Sequence, residues 1–168
     1  MRLKTAQKRT KQWASDRGLL DTADASKSAL WVAALAGELV QAMLKGKHDE
    51  IVDGIGDTLV TLANYAQICT QEQRWGTSPW CAQAWASASV HRLPAMECAG
   101  MLMCQVGHIC NAPNAQGLRN RDACIEAFKL LKTIADHYET TLPTCWEWAL
   151  DEIEGRKGRT VDGVFVKD

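Results

Sequence analysis

Asp49-Glu-Ile-Val-Asp-Gly-Ile-Gly-Asp-Thr-Leu-Val-Thr-Leu-Ala-Asn-Tyr-Ala-Gln-Ile-Cys69 is the stretch from which the fold is read most directly. Ile51, Ile55, Leu59, Leu62 and Ala66 recur at three- and four-residue steps, the period of one helix face rather than of a strand. The preceding Lys45-Gly-Lys-His-Asp49 carries the glycine of a helix C-cap. Upstream, Asp24 and Ser26 each offer an N-cap for a helix running to about Lys45, and the Ala/Leu/Val content of that stretch favours helix over strand. A turn this short pairs the two helices antiparallel.

Working outward, a basic run between residues 4 and 14 leads to Trp13. Beyond the polar segment Gln71 to Pro79, the pattern predicts helices over Trp80 to Leu93, Pro94 to about Cys110, Arg121 to Thr140 and Pro143 to Gly155, with a turn from Asn111 to Asn120. Nothing between Thr10 and Gly155 reads as a strand. The alternating Thr160-Val-Asp-Gly-Val-Phe-Val-Lys167 predicts an extended tail over 160–168, laid against the bundle. The expectation is one all-α domain over 1–168. A faint internal similarity suggests half-repeats at 13–92 and 93–159: Leu59-Val-Thr-Leu-Ala-Asn64 overlays Leu131-Lys-Thr-Ile-Ala-Asp136, and Cys81 to Arg92 spans the same interval as Cys145 to Arg156.

With 168 residues, 46% hydrophobic and 23% charged, the chain can bury a real core. Its 19 basic and 20 acidic residues leave a net charge of -1, so no global field draws it to nucleic acid or an anionic membrane. The most apolar run, Ala29 to Leu44, is broken by Glu38 and Gln41, and no apolar signal segment opens the chain; the expected compartment is the cytoplasm. Seven cysteines, odd in number and without CxxC pairs, argue against a zinc site or a disulfide framework.

The residue types that could carry chemistry are acids. Glu38 interrupts an apolar helix, and Asp53 and Asp57 lie four apart on one face of the next. If the helices pair as predicted, the three carboxylates converge. Clustered carboxylates raise one another's pKa unless a cation neutralises them, which points to a hard divalent ion, Mg²⁺ or Mn²⁺. The plainer alternative makes Asp53 a dipole-stabilising acid of the first turn and Glu38 a solvent-facing side chain. Trp13 and Trp31 are the tryptophans placed to stack on a base, whereas Trp75, Trp80, Trp85, Trp146 and Trp148 read as packing a core or a subunit interface. There is no Walker loop, GxGxxG or GxSxG pattern.

Four blocks in order, Trp13-Ala-Ser-Asp-Arg-Gly-Leu19, Gly37-Glu-Leu39, Ile51 to Val60 with Asn64, and Glu152-Ile-Glu-Gly-Arg-Lys-Gly-Arg-Thr-Val-Asp-Gly-Val-Phe-Val-Lys167, resemble MazG-like nucleotide pyrophosphohydrolases, especially those of tailed bacteriophages. They cover the first 67 residues and the last 25 or so. The resemblance implies an all-α, usually oligomeric protein that cleaves a nucleoside triphosphate to its monophosphate and pyrophosphate. It implies Mg²⁺ held by an EExxE motif on one helix and an ExxD motif on the next. By position, Glu38 is the last acid of EExxE and Asp57 the aspartate of ExxD, with Asp53 one place from the ExxD glutamate.

The chain departs from that pattern: Ala34 and Leu35 stand where the leading glutamates belong, and Gly54 where the ExxD glutamate belongs. If the halves are a duplication, Glu97 and Glu126 occupy the equivalent positions and would complete a composite site. The resemblance further implies phosphate or nucleotide contacts from Arg156, Lys157 and Arg159 after the last helix, from Asn64, and from Trp13 and Arg17 of the opening block. Three readings stay open: a pyrophosphohydrolase working with a reduced ligand set, an inactive relative kept as a nucleotide-binding or host-partner-binding regulator, and a purely structural helical oligomer.

Overall fold

A computed structural model describes residues 2–22, 24–71, 92–111, 118–161 and 164–167. The described residues form helices α1 (Leu3–Asp16), α2 (Leu19–Thr22), α3 (Ala25–Lys45), α4 (His48–Gln71), α5 (Ala95–Asn111), α6 (Leu118–His137) and α7 (Leu142–Gly155), followed by strands β1 (Gly158–Val161) and β2 (Val164–Lys167). The architecture is an all-α bundle with a small terminal hairpin. None of the described helices is long and apolar enough to cross a membrane.

The local chemistry explains where the helices start and stop. Asp24 is the N-cap of α3, its carboxylate accepting the Lys27 backbone N–H at 2.7 Å. Gly46 ends α3 in the left-handed region at φ 65°, where a side chain would be strained, and Lys47 N–H returns to the Ala42 carbonyl. That two-residue connection turns the chain back, so α3 and α4 pair antiparallel as expected. Thr141 caps α7 by accepting the Thr144 N–H at 3.3 Å, and the proline next to Leu142 suits the first turn.

Helix α4 is the central element. Ile51, Ile55, Leu59, Leu62, Tyr65 and Ala66 are wholly buried and form its core face. Two glycines let its neighbours come close. A Cβ at Gly54 would lie 3.0 Å from Leu39 Cα on α3, and one at Gly56 would lie 2.2 Å from the Cys145 carbonyl oxygen on α7. Helix α6 brings Phe128 edge-on to Trp146, with ring centroids 6.5 Å apart. The Trp146 indole N–H donates to Thr10 Oγ1 at 3.0 Å, and Thr10 in turn donates to the Ala6 carbonyl, so the largest buried side chain is polar-satisfied. Asn120 Nδ2 meets the Tyr65 hydroxyl at 3.3 Å; burial pushes the Tyr65 phenol upward, and Cys69 and Cys124 add to that.

Several expectations are corrected. The opening basic run, to which the sequence assigned no element, lies in α1, whose buried stripe of Leu3, Ala6, Thr10, Trp13 and Ala14 is obscured by the charge of the run. Arg9 bridges Asp151 at 2.7 Å and Glu154 at 2.8 Å, tying α1 to α7. Helix α6 starts at Leu118 and ends at His137, rather than spanning Arg121 to Thr140; Glu139, at φ 53°, makes the turn into α7. The tail is not a single extended segment, for Gly158–Val161 and Val164–Lys167 pair antiparallel as a hairpin. The helix expected from Trp80 to Leu93 falls almost entirely outside the described residues.

Candidate functional site

Successive residues of a helix are about 100° apart. On α4, Gly54 therefore lies about 100° to one side of Asp53 and faces α3, while Gly56 lies about 60° to the other side and faces α7. Asp53, Asp57 and Asn64 fall between those two directions, opposite the core face, and each is half-buried. They line the floor of a trough whose walls are α3 and α7. The α3 wall presents Glu38, Leu35 and Trp31, which share a face of that helix. The α7 wall presents Glu152, with Arg156 just beyond the helix end.

The acids on this floor feel one another. The Asp57 carboxyl is pushed up to about 6, first by burial, then by Asp53, with Arg156 opposing and Glu152 and Glu38 adding. Asp53 is raised by burial and then by Glu152, again opposed by Arg156 and reinforced by Glu38. Glu38, Asp53, Asp57 and Glu152 thus form one cluster drawn from three helices, with Arg156 as the cation set among them. Arg156 is ion-paired with Glu152. Its backbone is also held: its N–H donates to the Ile153 carbonyl at 3.2 Å, and its own carbonyl accepts from Arg17 at 3.1 Å. Two polar atoms here are buried without a hydrogen-bond partner, Arg156 Nε and Asn64 Oδ1.

Of the residues singled out by sequence, the structure brings together Glu38, Asp53, Asp57 and Arg156, with Asn64 two turns along the same floor. Lys157 is exposed just beyond Arg156. Arg159 lies on β1 opposite Val166. Trp13 and Arg17 are placed elsewhere. Trp13 is 9% exposed, its indole N–H donates to the Ile153 carbonyl at 3.2 Å, and the Arg17 guanidinium sits 5.1 Å over its ring. A side chain so enclosed serves the α1–α7 seam rather than stacking on a base. Glu97 is exposed in the first turn of α5, and Glu126 on α6 pairs with Lys129 at 3.4 Å. Neither is among the groups that shift Asp53 or Asp57.

Two features escaped the sequence reading. Glu152 joins the cluster because Gly56 lets α7 lie against α4; its one sequence signal is its place four residues before Arg156. The two tryptophans of α7, both read as packing a core or a subunit interface, part company: Trp146 is fully buried and Trp148 is 54% exposed. Gly54 also gains a reason: a larger residue there would press on the α3 backbone, so the position serves helix contact and not ligation. Among the described residues, no three His, Cys, Asp or Glu side chains close on a common point that would hold an ion by themselves.

No protein-family model matches the chain, and neither a curated protein nor a solved structure matches it.

Proposed function

We propose that the chain is a MazG-like nucleotide-handling protein, a nucleoside triphosphate pyrophosphohydrolase by ancestry, that binds its nucleotide along the α4 trough. The observation that carries this reading is the meeting of Glu38 and Asp57, the acids placed by the resemblance, and of Asp53, one position from the missing ExxD glutamate, with Arg156 from the closing block. Acids at the floor and a guanidinium beside them suit a triphosphate that arrives as its Mg²⁺ complex, because the cation offsets the carboxylates while Arg156 engages phosphate oxygens.

The donor set fits such an ion in one way only. Mg²⁺ commonly keeps several waters and uses one or two carboxylates together with substrate phosphates. Asp57 and Asp53 would hold it from the floor, with substrate phosphates and water filling the other positions and Glu38 adding negative charge from the α3 wall. When bound, the ion would activate water and neutralise charge on the leaving pyrophosphate. The protein's own share is to orient the triphosphate with Arg156, and to keep Asp57 half-desolvated, where its charge counts for more.

A second reading has its own observation: Ala34, Leu35 and Gly54 replace three ligands, and Gly54 is built into the α3–α4 contact. That favours an inactive relative retained to bind nucleotide, or a host protein, as a regulator. Pyrophosphate release from ribo- and deoxyribonucleoside triphosphates with Mg²⁺ or Mn²⁺ separates the two. Turnover that Asp57→Ala abolishes, with the fold intact by circular dichroism, supports the enzyme. No turnover together with Mg²⁺-dependent thermal stabilisation by nucleotide supports the binding protein. Neither turnover nor stabilisation across the panel would overturn the nucleotide reading altogether.

A further inference from the structure

The two exposed tryptophans stand on opposite walls of the same trough. Trp148 lies one turn before Glu152 on the edge of α7 away from α1, and the contact of Gly56 with Cys145 and Ala149 puts it level with Asp57. Trp31 is 47% exposed on the trough-facing edge of α3. It precedes Leu39, the residue opposite Gly54, by eight positions, or about 12 Å along the helix. Because α4 runs the other way, that places Trp31 beside the stretch between Thr61 and Asn64. A half-exposed indole costs solvation that a polar residue would avoid, and this bundle buries Trp146 completely elsewhere in the same helix. The exposed pair therefore asks for a planar or apolar group in the trough.

Resting on the nucleotide reading above, we infer that Trp148 is a ligand-contact residue that selects for the nucleoside part of the bound molecule. With the triphosphate on the carboxylate and Arg156 end, Trp148 covers the nucleoside from the α7 wall and Trp31 meets the ring from the α3 wall. Every base has a π-face, so recognition by indole contact depends on the presence of a base more than on which base it is. The site then takes nucleoside triphosphates broadly and discriminates against bare polyphosphate.

Calorimetric titration of the whole chain with the Mg²⁺ complexes of ATP, GTP, CTP, UTP and inorganic tripolyphosphate tests this. The wild type is expected to bind each nucleotide on the order of 10-fold more tightly than tripolyphosphate, with little spread among bases. Trp148→Ala should erase that preference while leaving tripolyphosphate binding unchanged, and Trp148→Phe should restore most of it. Nucleotide affinities unaltered in Trp148→Ala would sink the inference and leave the nucleotide reading standing. A wild type that binds neither nucleotide nor tripolyphosphate would sink both.

Discussion

Replacing Asp57 by asparagine should stabilise the protein at neutral pH while removing whatever function the trough has. The Asp57 carboxyl titrates near 6 in the folded chain against 3.8 for the ordinary side chain. The folded state thus holds this proton more tightly than the unfolded state does. Between about pH 4 and pH 6, unfolding releases the proton, so stability falls as pH rises through that window. Above it the penalty of an ionised, half-buried carboxylate beside Asp53, Glu152 and Glu38 is fully present; below it the penalty vanishes. Two pKa units correspond to about 3 kcal/mol, and water still reaching part of the carboxyl reduces this to about 1–3 kcal/mol. Asparagine has the same shape and cannot ionise. Urea unfolding followed by circular dichroism should therefore show Asp57→Asn more stable by that amount at about pH 7.5, with the difference closing toward about pH 4.5. A variant no more stable than wild type at the higher pH, or an advantage that does not shrink on acidification, would refute the reasoning. Added Mg²⁺ should narrow the gap from the wild-type side, because a cation relieves the same repulsion.

Gly54→Glu restores the acid that the family pattern expects, yet its Cβ would sit 3.0 Å from Leu39 Cα. The expected result is a loss of about 1–2 kcal/mol in urea unfolding with no gain in pyrophosphate release, as α3 and α4 are pushed apart and a further negative charge joins the cluster. Higher turnover at unchanged stability would show that the position still faces the trough. Gly56→Ala meets the Cys145 carbonyl at 2.2 Å and Ala149 Cβ at 2.8 Å, both on α7. It should cost about 3 kcal/mol in urea unfolding as α7 is pushed off α4; a variant as stable as the wild type would show that the contact yields without strain.

The sequence by itself determined the helical class and the central pair. The three-and-four spacing of Ile51, Ile55, Leu59 and Leu62, the Asp24 cap and the glycine at position 46 are local signals, and local signals set helix ends and an antiparallel turn. The same four-residue spacing put Asp53 and Asp57 on one face, so the acidic floor was legible before any fold was known. The opening helix was not, because the lysines and arginines of that run outweigh its five buried residues in any averaged pattern. Nor was the hairpin: alternation marks the tail as extended, but the pairing of Gly158–Val161 with Val164–Lys167 and the Thr160 hydroxyl's bond to the Arg17 carbonyl come only with the fold.

What the tertiary structure alone decided is which distant residues share the trough. Glu152 and Arg156 reach Asp53 and Asp57 because glycine at position 56 allows α7 to approach α4, a contact between residues some ninety positions apart that no spacing rule encodes. The contrast between the enclosed Trp13 and the exposed Trp148 has the same origin. Which tryptophan is enclosed depends on what packs against its helix: α7 closes over Trp13, and the edge of α7 away from α1 leaves Trp148 open. Periodicity states which side of a helix is apolar; only the packing of one helix on another states which polar side faces a wall and which faces water.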